Sequence, residues 1–271
     1  MDQEGEDRQN HSADRGDHPE YGRHGIAGDR SCDAGEARSP FTSLYCIRVT
    51  CQVSYLHLML SEKLLSVLGM NLTVLAASGQ TGIALTRQAL RRGHTVTAIA
   101  RDPERIALPD FPNLRKVAGD VNDAAGITAA VDKDSVVLSA LGTDRAGILL
   151  TGARAVVAAG PRRVIWLGAY GTGKSAEAAG ESAGVLVKVL GDRLADKVEA
   201  DNTVLAAGGT VFHAGMLADG PESPRRRTVG LEAAPPFDLG AKVSRETVAA
   251  AMLDEAEKPT FPGAVALPLA E

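Results

Sequence analysis

Beyond Cys51 the chain has no cysteine; Cys32, Cys46 and Cys51 are its three. Histidine thins out at the same point, leaving His94 and His213 after Met70. Residues 70–271 therefore have no thiol chemistry, no disulfide frame and no Cys/His cluster for zinc, and no metal site is expected. Aromatic residues make up 4% of the chain. A basic excess is also missing: the net charge is −5, which argues against a nucleic-acid partner. No apolar run reaches the roughly 18 residues of a membrane span. The start is acidic, where a secretory signal needs a basic start and an early apolar core. A cytoplasmic protein with a small-molecule substrate is expected, with its oligomeric state open.

Residues 1–40 are charged, rich in Gly, Asp and Arg, and poor in large apolar side chains. Such a stretch buries too little surface to offset chain entropy, so disorder is its default. Residues 41–69 are more apolar but are interrupted by Arg48, His57, Glu62 and Lys63. Met70 is read as the natural start, with residues 1–69 an upstream extension. The rival reading is a genuine tail with one helix near Glu62 to Leu68.

From Met70 the pattern alternates. Short apolar runs of strand length lie at Leu72 to Ala76, Thr95 to Ala100, Leu114 to Ala118, Val136 to Leu141, Val164 to Leu167, Val211 to Phe212 and Val265 to Leu269. Helical spacing appears between them over Thr81 to Arg92, Ala124 to Val131, Gly147 to Ala159 and Val185 to Ala207. A last helix begins at Ser244, whose hydroxyl can cap it, and runs toward Glu257. Alternating strands and helices with near-continuous apolar strands predict one α/β domain over residues 70–271. Its sheet is doubly wound, parallel and Rossmann-like, with both faces covered.

The stretch "LAASGQTG", residues 75–82, falls between the first strand and the first helix. A turn there aims backbone N–H groups at a helix N-terminus, where a diphosphate binds. Gly79 and Gly82 keep the spacing of the last two glycines of G-x-x-G-x-x-G, and Ala76 replaces the first. Its methyl is a small obstruction if Ala76 has a negative φ. Ala76, Ser78, Gly79, Gln80, Thr81 and Gly82 are the candidate cofactor contacts of this turn. An acid at the end of the second strand would bind the ribose diol of NAD. This chain reads "TAIARDPERI", with Arg101 there and Arg105 close behind. A guanidinium suits the 2′-phosphate of NADP, so NADP is expected ahead of NAD. Asp102 leaves the ribose alternative open.

These pieces resemble the atypical short-chain dehydrogenase/reductases with NmrA-like NAD(P)H-binding domains, especially the flavin reductase/biliverdin-IX-β reductase-like proteins. "AASGQTG" is similar to the family's G-A-T-G-Q-T-G, and "VTAIARDPERI" to its second strand with the NADP-selecting arginine. "GDVND" (119–123), "VVLSALGT" (136–143) and "VSRETVA" (243–249) continue the likeness in order, so it spans essentially all of residues 70–271. The resemblance implies that Asp120 and Val121 flank the adenine. It also implies that Leu141, Gly142 and Thr143 pass beside the cofactor. Two departures concern chemistry. Where the family often carries Ser or Thr near the nicotinamide, this chain has Gly168 and Ala169. Where the family often reads Arg-Pro-Gly, it has His213-Ala214-Gly215.

Three residues are candidate catalytic groups: Tyr170, His213 and Lys197. Tyr170 and Lys174 match the Tyr-x-x-x-Lys spacing that lets a lysine lower a tyrosine pKa. Gly171 and Gly173 oppose the helix this requires. His213 follows an apolar strand and either protonates a substrate near neutral pH or is packed and hydrogen-bonded. Lys197 stands where the family has Lys-x-x-x-[DE], with Asp201 at the acidic place. Trp166 is expected in the core. "GTGK" (171–174) lacks the full phosphate-loop spacing. The expected function is NADPH-dependent hydride transfer to a small, planar acceptor of flavin or quinone type. The alternatives are an NADP(H)-sensing regulator without catalysis, and a sugar-nucleotide epimerase or dehydrogenase using Tyr170 and Lys174.

Overall fold

The computed structural model describes residues 69–143 and 145–270. Residues 1–68, and with them the helix that the rival reading expects near Glu62 to Leu68, lie outside the described residues. Among those described, the strands are β1 (Asn71–Leu75), β2 (Thr95–Ala100), β3 (Leu114–Ala118), β4 (Val136–Ser139), β5 (Arg163–Ala169), β6 (Thr210–Ala214), β7 (Met216–Ala218), β8 (Arg227–Gly230), β9 (Lys242–Ser244) and β10 (Val265–Leu269). The helices are α1 (Gln80–Arg91), α2 (Ala124–Ala130), α3 (Ile148–Ala159), α4 (Ala176–Ala179), α5 (Ala183–Leu190), α6 (Arg193–Ala206) and α7 (Arg245–Glu257). Eight strands form one sheet in the order β3-β2-β1-β4-β5-β6-β10-β8. All neighbours in it are parallel except β10 and β8. The order reverses between β1 and β4, which opens a crevice beyond the carboxyl ends of those strands.

Strand alternation sends neighbouring side chains to opposite faces and so builds two cores. Leu72, Val74, Val136, Leu138, Ile165 and Phe212 pack with α1 and α7. Val137, Val164, Trp166 and Val211 pack with α2, α3 and α6 on the other face. Trp166 is fully buried there, as expected. Burial on both faces explains why the strands read as unbroken apolar runs.

Three features differ from the sequence reading. The single helix expected over Val185 to Ala207 is two, because Gly191 turns into the left-handed region at φ +51° between them. β4 stops at Ser139, two residues early. The antiparallel β8 and the small parallel pair β7–β9 carry little apolar periodicity and went unread.

Helix ends are the part of the fold that matters most for the site. Ser244 Oγ accepts the Thr247 N–H at 3.1 Å and caps α7 as expected. Asp123 caps α2 through the Gly126 N–H. α3 begins at a bare Gly147, and its cap comes from another helix. The Asp196 carboxylate of α6 accepts the Leu149 and Leu150 N–H groups at 3.1 and 2.9 Å. α1 has no side-chain cap and no acid in its first turn.

α7 is fastened to α1 at its far end by a charged cluster. Arg92 pairs with Asp254 and Glu257. The His94 ring takes the Met70 N–H on Nδ1, so Nε2 carries the proton and faces Glu257 Oε1 at 2.9 Å. That hydrogen bond, with help from Arg92, holds the Glu257 carboxyl below the usual carboxylate range against the opposing effect of burial. A depressed carboxyl pKa contributes stability above its unfolded value, and that contribution is lost as pH falls through the folded value. We therefore expect Glu257→Gln to cost no more than about 1 kcal/mol near neutrality, because the pair is part-exposed. The difference from the parent in urea unfolding should shrink as pH falls below about 4 and vanish once the folded-state carboxyl is protonated. A difference that persists undiminished into acid would show that Glu257 acts by packing alone.

Candidate functional site

The turn after β1 is built by close approach. A side chain on Gly82 would bring a Cβ within 2.8 Å of Ala77 Cα and into the Ala76 carbonyl. Gly82 is buried, does not line the cleft and serves strand–helix packing. Gly79 is less constrained, since its nearest neighbour would be the Ala76 carbonyl at 3.4 Å. Ala76 overturns the assumption made for it. Its φ is +61°, the one left-handed non-glycine residue among those described. The turn still closes, with the Gly79 N–H on the Ala76 carbonyl at 3.0 Å and the Ala77 N–H on the Ile99 carbonyl at 2.9 Å.

Beyond this turn lies a cleft of about 570 Å³. Ala76, Ser78, Gly79, Gln80 and Thr81 form one wall. Arg101 from the end of β2 and Asp120 and Val121 after β3 form the second. Leu141, Gly142 and Thr143 after β4 form the third. Asp102 Oδ1 accepts the Glu104 N–H at 3.1 Å and caps a short turn. Asp120 Oδ1 accepts both the backbone and side-chain N–H of Asn122, which fixes that loop.

Four arginines line the cleft, Arg101, Arg105, Arg145 and Arg245, against the single aspartate Asp120. The rest of the protein more than reverses that sign, with a net charge of −5. Arg101 and Arg105 are exposed and make no side-chain hydrogen bond or ion pair among the described residues. The sequence reading missed Arg145 and Arg245. Arg245 sits inside "VSRETVA", where only the capping Ser244 announced itself. Arg145 had no local signal.

The other predicted residues are not in the cleft. Gly168 and Ala169 end β5 beside β6, paired with His213 and Ala214. Tyr170 is buried, its hydroxyl donates to the Pro235 carbonyl, and its ring meets Phe237 edge-on at 5.5 Å. Burial pushes the phenol up from its ordinary value. Lys174 is exposed on a one-turn 3-10 helix, Gly173–Ser175. The Tyr-x-x-x-Lys pair therefore does not form, for the reason its glycines suggested. Lys197 lies on α6, where burial lowers its ammonium and Asp201 and Asp196 oppose that effect.

His213 is 1% exposed and belongs to a buried chain. Its Nε2 is 3.1 Å from Asp201 Oδ2, and its Nδ1 is 2.6 Å from Ser175 Oγ. The carboxylate accepts from Nε2–H, and Ser175 Oγ, beside Nδ1, also lies 3.1 Å from the Thr172 carbonyl and takes the Gly171 N–H at 3.0 Å. Gly168 makes room for this chain. A Cβ there would lie 2.7 Å from His213 Cδ2 and 3.0 Å from Asp201 Oδ2. The hydroxyl missing at 168 has its space filled by an imidazole that ties β6 to the segment after β5. His213 is thus a packed, hydrogen-bonded histidine and not a substrate-facing acid.

A crevice at the strand order reversal, an uncapped helix N-terminus and a cationic wall define a dinucleotide-binding α/β protein. A family model described as NAD(P)H-binding matches residues 76–259, and the chain belongs to that family. The solved structures it resembles agree on the fold. A putative epimerase from Bacteroides thetaiotaomicron is 23% identical with a TM-score of 0.62, over 74% of this chain and 97% of that one. A short-chain dehydrogenase/reductase from Veillonella parvula in complex with NADP is 20% identical with a TM-score of 0.61, over 74% and 94%. ChuY, an anaerobillin reductase from Escherichia coli O157:H7, is 20% identical with a TM-score of 0.60, over 74% and 97%. Among the described residues no helix is long and apolar enough to cross a membrane.

Two stability changes follow from this geometry. Ala76→Gly should stabilise the protein by about 1 kcal/mol, because an L-residue in the left-handed region costs roughly 1–2 kcal/mol and glycine does not bear it. Gly168→Ser should destabilise by about 1–3 kcal/mol through overpacking against His213. Urea denaturation of both variants checks this; an Ala76→Gly protein no more stable than the parent would remove the strain argument.

Proposed function

We propose that the chain is an NADPH-dependent oxidoreductase whose hydride acceptor is a small, planar molecule of the flavin or quinone type. The observation that carries this is the pairing of an uncapped α1 with two unpartnered guanidiniums at the end of β2. Carboxylate or hydroxyl oxygens satisfy α2, α3 and α7, whereas α1 has no side-chain cap and its first residues line the cleft, so its N–H groups are available to a ligand's diphosphate. Arg101 and Arg105 suit a 2′-phosphate, and the Asp102 carboxylate is engaged with Glu104. The NADP bound to the Veillonella protein supports the same preference by analogy of fold. The reductase named among the similar structures supports the reaction class in the same limited way.

When bound, NADPH would supply a hydride. The chain's own contribution is to hold and orient, with the turn and the β2 arginines anchoring one end of the ligand. Tyr170, Lys197 and His213 do not line the cleft, and Tyr170 and His213 are tied to protein partners. That favours an acceptor that takes its proton from solvent. The same observation favours a second reading, an NADP(H) sensor without catalysis. The epimerase reading loses support, because it needs Tyr170 and Lys174 together. A cytoplasmic setting is part of the proposal.

The test is titration of the protein with NADPH and NADH, then loss of reduced-nicotinamide absorbance with flavins and quinones. Arg101→Ala should weaken NADPH by about 10- to 100-fold and leave NADH unchanged. Tyr170→Phe should leave turnover intact. Tight NADPH binding without turnover on any acceptor would favour the sensor. Equal affinity for both cofactors would sink the NADP assignment.

A further inference from the structure

Arg245 is the first residue of α7 and lines the cleft together with Ser78, Gly79 and Gln80. Two contacts fix its position. Nη1 is 2.8 Å from Asp219 Oδ1, and the neighbouring Glu246 clasps α1. The Glu246 carboxylate takes Arg87 and Gln88 Nε2, and its carbonyl takes Gln88 Nε2 at 2.9 Å. α7 also packs on β5 and β10, so it flanks α1 on the side away from β2 and β3. Arg101 and Arg105 come from the β2 side. Cationic groups therefore approach the α1 N-terminus from both flanks.

On the cofactor reading above, the β2 flank takes the adenosine end. The geometry points to Arg245 as a second diphosphate-binding group, gripping from the C-terminal half of the chain the oxygens that the α1 N–H groups do not reach. Only one of its N–H donors is used by Asp219, so Nε and Nη2 remain for a phosphate. Asp219 is itself 81% exposed, so the pair holds the guanidinium in place without neutralising a buried charge. Arg245 thus serves the diphosphate whichever nicotinamide cofactor is bound, while Arg101 distinguishes between them.

Calorimetric titration of the full-length chain with ADP-ribose, 2′-AMP and NADPH separates the two arginines. ADP-ribose has the diphosphate without the 2′-phosphate, and 2′-AMP has the reverse. Arg245→Ala should weaken ADP-ribose and NADPH by about tenfold or more and leave 2′-AMP within about twofold. Arg101→Ala should weaken 2′-AMP and NADPH and spare ADP-ribose. Removing Arg245 leaves Asp219 in water, so the melting temperature should hold. Arg245→Gln, which can still donate to Asp219, should give the same binding pattern. An Arg245→Ala protein that binds ADP-ribose as the parent does overturns the inference, as does one that loses ADP-ribose and 2′-AMP equally. A parent chain that binds neither fragment nor NADPH overturns the cofactor reading, and this inference with it.

Discussion

The contact between Gly82 and the Ala76–Ala77 backbone sets the geometry of everything above it. No side chain fits between helix and turn at that point. α1 is therefore seated directly on the end of β1, and its first N–H groups face the crevice at the strand order reversal. The Ala76 carbonyl is engaged by Gly79, which forces Ala76 into a conformation that costs an L-residue energy. The alanine is tolerated because the turn is over-determined: β1 and β2 fix the chain before it, and the helix fixes it after.

The electrostatics follow from which helix ends are already satisfied. Asp123, Asp196 and Ser244 place oxygens on the N-termini of α2, α3 and α7. With α1 left open, the local field there is positive, and the four arginines add to it. Four arginines against one aspartate concentrate positive charge at this cleft, which steers an anionic ligand to one place.

Legibility followed the range of the interactions. β1, β2, β3 and α1 were readable because apolar runs and helical periodicity are local. The capping role of Ser244 was readable because a hydroxyl bonds three residues ahead. The Asp196 cap on α3 spans 46 and 47 residues and carries no local mark. The break at Gly191 was visible as a glycine, yet nothing nearby said that it would turn left-handed. In the site, glycine spacing located the turn, but it could not tell that Gly82 serves packing while Gly79 faces the cleft. Arg245 belongs to the cleft only because α7 folds back beside α1. His213 could be read either way from its neighbours in sequence, because its partners, Asp201 and Ser175, come from two other segments.

Gly168 and His213 constrain each other, and that bears on the chemistry the proposed reading allows. A side chain at 168 and the imidazole at 213 compete for one space. With glycine present, the imidazole moves in, loses its contact with solvent and spends both ring nitrogens on Asp201 and Ser175. The exchange removes a hydroxyl from the end of β5 and does not return a free acid in its place. A carbonyl substrate that needs a protein proton in step with hydride transfer is poorly served by such a site. An acceptor that holds the added charge over a conjugated ring system until solvent protonates it asks of the protein only position. The buried chain that takes up the histidine also fixes the backbone after β5, through Ser175 Oγ and the Gly171 N–H.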